Sequence, residues 1–252
     1  MSNQTVLVTG ATGRTGSIIL QKLRQFDQFE ALGFARSEQK AQAIFGSTKG
    51  FYFGDIRDNS TLEPAIANCH ALIIVTSAVP QRKDPPKEGD RPELTYPPDA
   101  TPEKIDYQGQ VNQIDLAKQA GVNHIILMGS MGGTDDNHPL NKIGNGNILI
   151  WKRKAEQYLI NSGIDYTIIH AGGLLNEPGG KRKLVVGDND TLLNRESPTI
   201  PREDVAELIV QALSIPEAKN KALDVVAESD QASQGQVTSD FQALFAQTTP
   251  GL

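Results

Sequence analysis

Apolar positions follow two rhythms along the chain. Short, nearly continuous apolar runs stop at or near glycine or a polar turn: Thr5-Val-Leu-Val-Thr9 ends at Gly10, Ala71-Leu-Ile-Ile-Val75 is the most apolar, and His124-Ile-Ile-Leu-Met128 ends at Gly129-Ser130. Runs of this kind read as strands buried on both faces. Ala31–Ala35, Phe51–Phe53, Tyr166–Ile169 and Ala222–Val226 read as further strands. Between them the spacing becomes helical. Ile19, Leu23 and Phe26 share one face of a segment from Ser17 to Phe26, and Val111, Ile114 and Ala117 share one face of a segment opening at Pro102. Gly121 is suited to end that second helix. Helices are also expected over Ser37–Ile44, Thr61–Ala67, Asn147–Ile160, Val205–Leu213 and Ser239–Phe245. Such alternation predicts an α/β fold, a doubly wound parallel sheet with flanking helices. No repeat and no linker divides the chain, so residues 1–252 are expected to form a single domain with a short C-terminal extension from about 229.

One stretch breaks the rhythm. Residues 80–102 hold seven of the fourteen prolines and charges of both signs, with almost no aliphatic side chain. A loop insertion this long in a compact domain is commonly a lid or a binding surface. Composition then excludes several classes. There are 24 Lys+Arg against 30 Asp+Glu, a net charge of −6, without the basic blocks that nucleic-acid phosphates require. No apolar run approaches the ~20 residues of a membrane span, so no membrane insertion is expected. The start Met-Ser-Asn-Gln runs straight into a strand pattern, which predicts no targeting segment and a cytoplasmic protein. Cys69 is the single cysteine, so neither a disulfide framework nor a metal site is expected, and it reads as a small buried hydrophobe.

The charge is uneven. Residues 1–50 carry six basic and three acidic side chains, leaving −9 for the rest. Within that basic segment lies Thr9-Gly-Ala-Thr-Gly-Arg-Thr-Gly16, between a strand and a helix. Gly10 would permit the tight turn, Gly13 the close approach of backbone to a pyrophosphate, and Gly16 close helix–strand contact. An anion would rest on free N–H groups of the helix N-terminus, beside Thr12, Arg14 and Thr15. An NAD site expects a carboxylate after the second strand, whereas Arg36 stands there. A guanidinium binds a 2′-phosphate with charge-assisted bonds, and Arg14 could reach the same phosphate, so the expected cofactor is NADP. Asp55 and Ile56, after the third strand, fall where an adenine contact would. Ser77, after the fourth strand, joins the expected cofactor-binding set.

These residues resemble the atypical short-chain dehydrogenase/reductase superfamily, in its NAD(P)-binding, NmrA-like branch. The glycine loop, Gly54-Asp55-Ile56, Ala120-Gly121-Val122 and Lys154-Ala155-Glu156 carry the resemblance over roughly residues 4–228. Gly129–Thr134, His138–Asn147 and His170-Ala-Gly-Gly-Leu174 are similar to NADP-binding proteins of plants and photosynthetic bacteria. The resemblance implies a Rossmann-type domain, places Ala171 and Gly172 near the nicotinamide, and assigns Ser130 and Lys154 to a catalytic Ser-Tyr-Lys set. Four residues before Lys154 that set requires tyrosine, and this chain has Ile150. Isoleucine cannot donate the proton that carbonyl reduction needs. Tyr107, Tyr158, His138 and His170 are the substitutes the sequence offers. Quinones and flavins avoid the difficulty, because they can take a hydride and collect a proton from solvent. The leading expectation is therefore an NADPH-dependent oxidoreductase acting on such a small-molecule acceptor. A non-catalytic NADP-binding sensor, regulator or assembly factor is the alternative, with loop 80–102 as the surface for a protein partner or a second copy.

Overall fold

The computed structural model describes residues 3–83 and 93–249. Strand β1 (Gln4–Thr9) is buried from Thr5 onward and leads through the glycine loop into α1 (Arg14–Leu23), whose Ile19, Leu20 and Leu23 are wholly buried. β2 (Phe29–Ala35), α2 (Glu38–Phe45), β3 (Phe51–Phe53), α3 (Asn59–Ile66) and β4 (Ala71–Ile74) complete the first half. Side chains start two of these helices: Ser37 Oγ accepts from Lys40 N at 3.2 Å, and Asp58 Oδ1 accepts from Ser60 N at 3.0 Å. The Asp58 cap opens α3 two residues earlier than the apolar spacing suggests, so Pro64 lies inside the helix rather than in its first turn.

After β4 the chain forms a short antiparallel ribbon of β5 (Gln81–Arg82) and β6 (Leu94–Thr95). The proline-rich insertion is thus not a plain loop: its flanks pair, and Tyr96 is buried against the same core as Ile105. The charges expected at Asp84, Lys87, Glu88, Asp90 and Arg91 lie outside the described residues. A π-helical turn, Glu103–Gln108, then opens α4 (Gly109–Ala120), which Gly121 ends in the left-handed conformation. β7 (His124–Ser130), α5 (Pro139–Lys142), α6 (Ile148–Ile160) and β8 (Asp165–Ala171) follow. The last part holds β9 (Gly173–Leu175), β10 (Leu184–Gly187), β11 (Thr199–Pro201), α7 (Arg202–Ala212), β12 (Lys221–Ala227), α8 (Asp230–Ser233) and α9 (Phe241–Ala246).

Eight strands form one sheet in the order β10-β12-β8-β7-β4-β1-β2-β3. Every pairing is parallel except β10 with β12, so the expected doubly wound parallel sheet carries one antiparallel strand at its edge. β10 can run backwards because it reaches the sheet through β9 and a turn, without a crossover helix. α1, α7 and α9 cover one face with Leu20, Ile209 and Phe245, while α3, α4 and α6 cover the other with Leu62, Ile114 and Leu159. Chain order reverses on either side of β1, between β2 and β4. In open sheets that reversal leaves a crevice at the carboxyl edge of the strands, where ligands bind.

Candidate functional site at the carboxyl edge

The glycine loop is shaped by close approach. Gly10 has φ +75°, and a Cβ at Gly16 would lie 2.2 Å from the Gly10 carbonyl oxygen, so no larger residue fits there. Gly13 N donates to Gly10 O at 2.8 Å, closing the turn. No side chain caps α1, and its first turn carries no acid. Its leading N–H groups therefore have no partner from the helix itself, and a Cβ-free cradle surrounds them. Thr15 is buried, Thr12 half-buried, and Arg14 exposed at the first helical position. These residues fit the phosphates of a dinucleotide.

Arg36 is exposed just beyond β2. Asp55 is gripped by its neighbour: Oδ1 accepts from Arg57 Nε at 2.8 Å and Oδ2 from Nη2 at 2.6 Å. That bond, together with the Arg57 charge and the more distant Arg36 charge, holds the Asp55 carboxyl below its usual range against partial burial. Ile56 is buried, and its carbonyl accepts from Asn112 Nδ2 at 3.1 Å. Arg14 acts electrostatically on Arg202, whereas Arg36 acts on Asp55, so the two arginines proposed for one phosphate stand in different charge neighbourhoods.

The buried lysine of α6 is Lys152 rather than Lys154. Lys154 is exposed, with Nζ 4.1 Å from the centre of the Trp151 ring. Lys152 is buried instead, its Nζ 2.7 Å from Asp106 Oδ1. The reason is helical period: two residues turn the side chain by about 200°, and the buried positions of α6 are Leu149, Lys152, Ala155, Glu156 and Leu159. Counting back four from Lys152 gives Ile148, so the tyrosine is missing in this register too. Asp106, from the π-helical turn, has no exposed surface. Its Oδ1 also accepts from Ser77 Oγ at 2.7 Å, and its Oδ2 from Ala78 N at 2.9 Å. Ser77 therefore sits in a Ser77–Asp106–Lys152 group directly after β4.

Ser130 ends β7, half-buried, its Oγ donating to Met131 O at 3.1 Å. The loop after it is held by Asp190. Oδ1 of Asp190 accepts from Gly132 N at 2.7 Å, and Oδ2 accepts from Thr134 N at 2.8 Å and Thr134 Oγ1 at 2.6 Å. Asp190 N in turn donates to Asp224 Oδ2 at 2.7 Å, and Asp224 Oδ1 lies 3.1 Å from His170 Nδ1. The other ring nitrogen of His170 is 3.2 Å from Glu156 Oε2, which also meets Arg153 Nη1 at 3.4 Å. Burial disfavours the charged imidazole, but Glu156 and Asp224 outweigh it and raise the His170 pKa to about 9. Ala171 and Gly172 follow immediately, with Gly172 N bonded to Val225 O at 3.0 Å.

The substitute proton donors each make contacts of their own. Tyr158 is exposed and donates to Asp115 at 2.8 Å, while Tyr107 packs its ring 5.7 Å from that of Trp151. His138 Nδ1 accepts from Leu140 N at 3.3 Å, at the start of α5, and His170 is enclosed by two carboxylates. Cys69 is buried, its Sγ donating to Ala65 O, and burial pushes its thiol up to about 12. Lys152, Asp106 and Asp190 are not among the site residues read from the sequence, although the apolar period of α6 contains the signal for Lys152.

Comparison with known proteins agrees with this geometry. A family described as NAD(P)H-binding matches residues 10–216, and the chain belongs to it. It is 54% identical to an uncharacterized chloroplastic protein of Arabidopsis thaliana, over 97% of this chain and 75% of that one. Sanguinarine reductase of Eschscholzia californica is 49% identical, over 97% and 96% of the two chains. The fold is shared with a short-chain dehydrogenase/reductase (wide type) of Veillonella parvula in complex with NADP, at TM-score 0.64 and 15% identity, covering 89% and 95%. The protein is thus of an NAD(P)H-binding family. The chloroplastic location of that Arabidopsis relative overturns the expectation of a general cytoplasmic protein.

Proposed function

We propose that the protein is an NADPH-dependent oxidoreductase that reduces an electron-poor small molecule, such as a quinone or a flavin. The observation that carries this reading is the Lys152–Asp106–Ser77 group at the carboxyl edge, a buried ion pair that reaches the exposed Ser77, with isoleucine where a tyrosine acid would stand. The site offers a fixed cation and hydroxyls, with no tyrosine at the motif position. Bound NADPH would supply the hydride. The uncapped first turn of α1 would hold its phosphates, and Arg36, in place of a carboxylate, supports the phosphorylated form of the cofactor. Lys152, locked by Asp106, would stabilise the negative charge that grows on the acceptor oxygen or ring nitrogen. Ser130 would donate a hydrogen bond to the same atom, and the balancing proton would come from water.

The relative that reduces sanguinarine supports an oxidoreductase, and the acceptor class rests on the site. The test is NADPH oxidation followed at its near-ultraviolet absorbance with a panel of quinones and flavins, NADH being run in parallel. Turnover with NADPH and a much weaker response to NADH is the expected result. Tight NADPH binding with no turnover on any acceptor would overturn the reading in favour of an NADP-binding regulator.

A further inference from the structure

Two guanidinium groups share the carboxyl edge without a counter-charge. α7 begins at that edge, where Gly173 N donates to Pro198 O at 2.8 Å. It ends near the opposite edge, where Asn220 N donates to Tyr166 O at 2.6 Å. It therefore runs against the strands, as α1 does, and the two helices lie side by side on one face, bridged by Lys22 and Glu207 at 2.7 Å. Arg14 and Arg202 are the first residues of these helices. Lys22 stands roughly 12 Å along α1 and Glu207 roughly 7.5 Å along α7, so both arginines lie at the same end.

The two acids that follow Arg202 turn to backbone amides rather than to the guanidinium groups. Glu203 Oε2 accepts from Gly179 N at 2.9 Å, and Asp204 Oδ1 accepts from Gly180 N at 2.6 Å. Among the described residues neither Arg14 nor Arg202 makes an ion pair. Arg202 is nonetheless fixed in place: Nη1 donates to Leu174 O at 3.0 Å and to Asn176 Oδ1 at 2.8 Å, both neutral oxygens. Nε and Nη2 are left to bind something else. Partial burial, and then the charge of Arg14, lower the Arg202 pKa, so the fold bears a like-charge repulsion here. A bound anion would remove it.

We infer that Arg14 and Arg202 close from two helices over the diphosphate bridge of the dinucleotide, while Arg36 alone takes the 2′-phosphate. This rests on the dinucleotide reading above and divides the cofactor between two cationic sites. Fragments separate them, because ADP-ribose has the diphosphate without the 2′-phosphate, and 2′-AMP has the reverse.

Calorimetric titration of the full chain with NADPH, ADP-ribose and 2′-AMP tests the division. Arg202→Met is expected to weaken ADP-ribose and NADPH by about tenfold, the scale of a charge-assisted hydrogen bond, and to leave 2′-AMP within about twofold. Arg36→Met is expected to give the opposite pattern, weakening 2′-AMP and sparing ADP-ribose. Arg202→Lys keeps the charge and should recover part of the ADP-ribose affinity, which a mere folding defect would not. Unchanged ADP-ribose binding in Arg202→Met, or equal losses for both fragments, would overturn the inference. A wild-type chain that binds 2′-AMP and ADP-ribose but oxidises no NADPH would sink the proposed reaction and leave this division standing.

Discussion

Two buried ion groups share helix α6, one turn apart, and they are built to different ends. Around Glu156 and His170 the charges answer one another: carboxylate, imidazolium, carboxylate, and then the backbone of Asp190, whose own side chain ties down the loop after Ser130. A cavity of about 10 Å³, room for a single water, lies beside His170, Asp190 and Asp224. Around Lys152 the partner set is shorter, just Asp106 with Ser77 and Ala78, and Ser77 is exposed. A group enclosed by answering charges holds a shape. An incompletely surrounded one, at the edge where ligands bind, has charge to spend on chemistry. Buried charge alone does not separate these cases; the number of partners and the exposure of the last one do.

The contrast can be broken from the structural side first. Asp224→Ala would leave His170⁺ with one carboxylate and Asp190 N with none, and is expected to cost on the order of 3–5 kcal/mol, read as a fall in the urea midpoint. NADPH affinity of the protein that remains folded should be nearly unchanged; a large loss of affinity with little loss of stability would reverse the assignment. The pH dependence comes next. His170 titrates near 9 in the fold against about 6.5 unfolded, so its contribution is complete below about pH 6.5 and lost as pH rises through 9. That amounts to roughly 3 kcal/mol, and His170→Asn should flatten the decline in urea melts taken between pH 6 and 9.5.

From the site side, Lys152→Met is expected to lower kcat/KM for quinone or flavin reduction by about 100-fold, the scale of removing one preorganised charge. The Lys152 result separates chemistry from folding if the loss lies in kcat, with the NADPH dissociation constant moving much less. Smallest of all is Lys154→Met, which removes an exposed cation over Trp151 and should change stability by no more than about 1 kcal/mol, with turnover preserved. A collapse of activity in Lys154→Met would restore the motif register that its exposed position argues against.

How much of this was legible depends on the range over which each feature is specified. The glycine loop, β1 and α1 are contiguous, and a strand stopping at Gly10 before a helix is a local pattern. Lys152 and Lys154 were confused because the motif was aligned by residue type, whereas burial follows the period of Leu149, Ala155 and Leu159. β9 and β11 are three residues each, and pair across an interval of more than twenty residues, so neither carries a signal of its own. The Asp190 network joins five separate segments, and nothing short of the fold brings them together. Location within the cell is not a property of the folded domain at all, and only a relative's name corrected it.

Cys69, read from the start as an inert packing residue, gives the protein a built-in clock. Its sulfur lies beneath α3 at the entrance to β4, with a thiol held near 12, so an alkylating reagent can reach it only when that part of the sheet comes apart. The labelling rate at neutral pH, in the regime where closing outpaces reaction, then measures the free energy of opening. Each tenfold of cofactor concentration above its dissociation constant should slow labelling about tenfold, provided cofactor binds only the closed protein. The one thiol, useless for catalysis, thereby reports on cofactor binding without any assay of turnover.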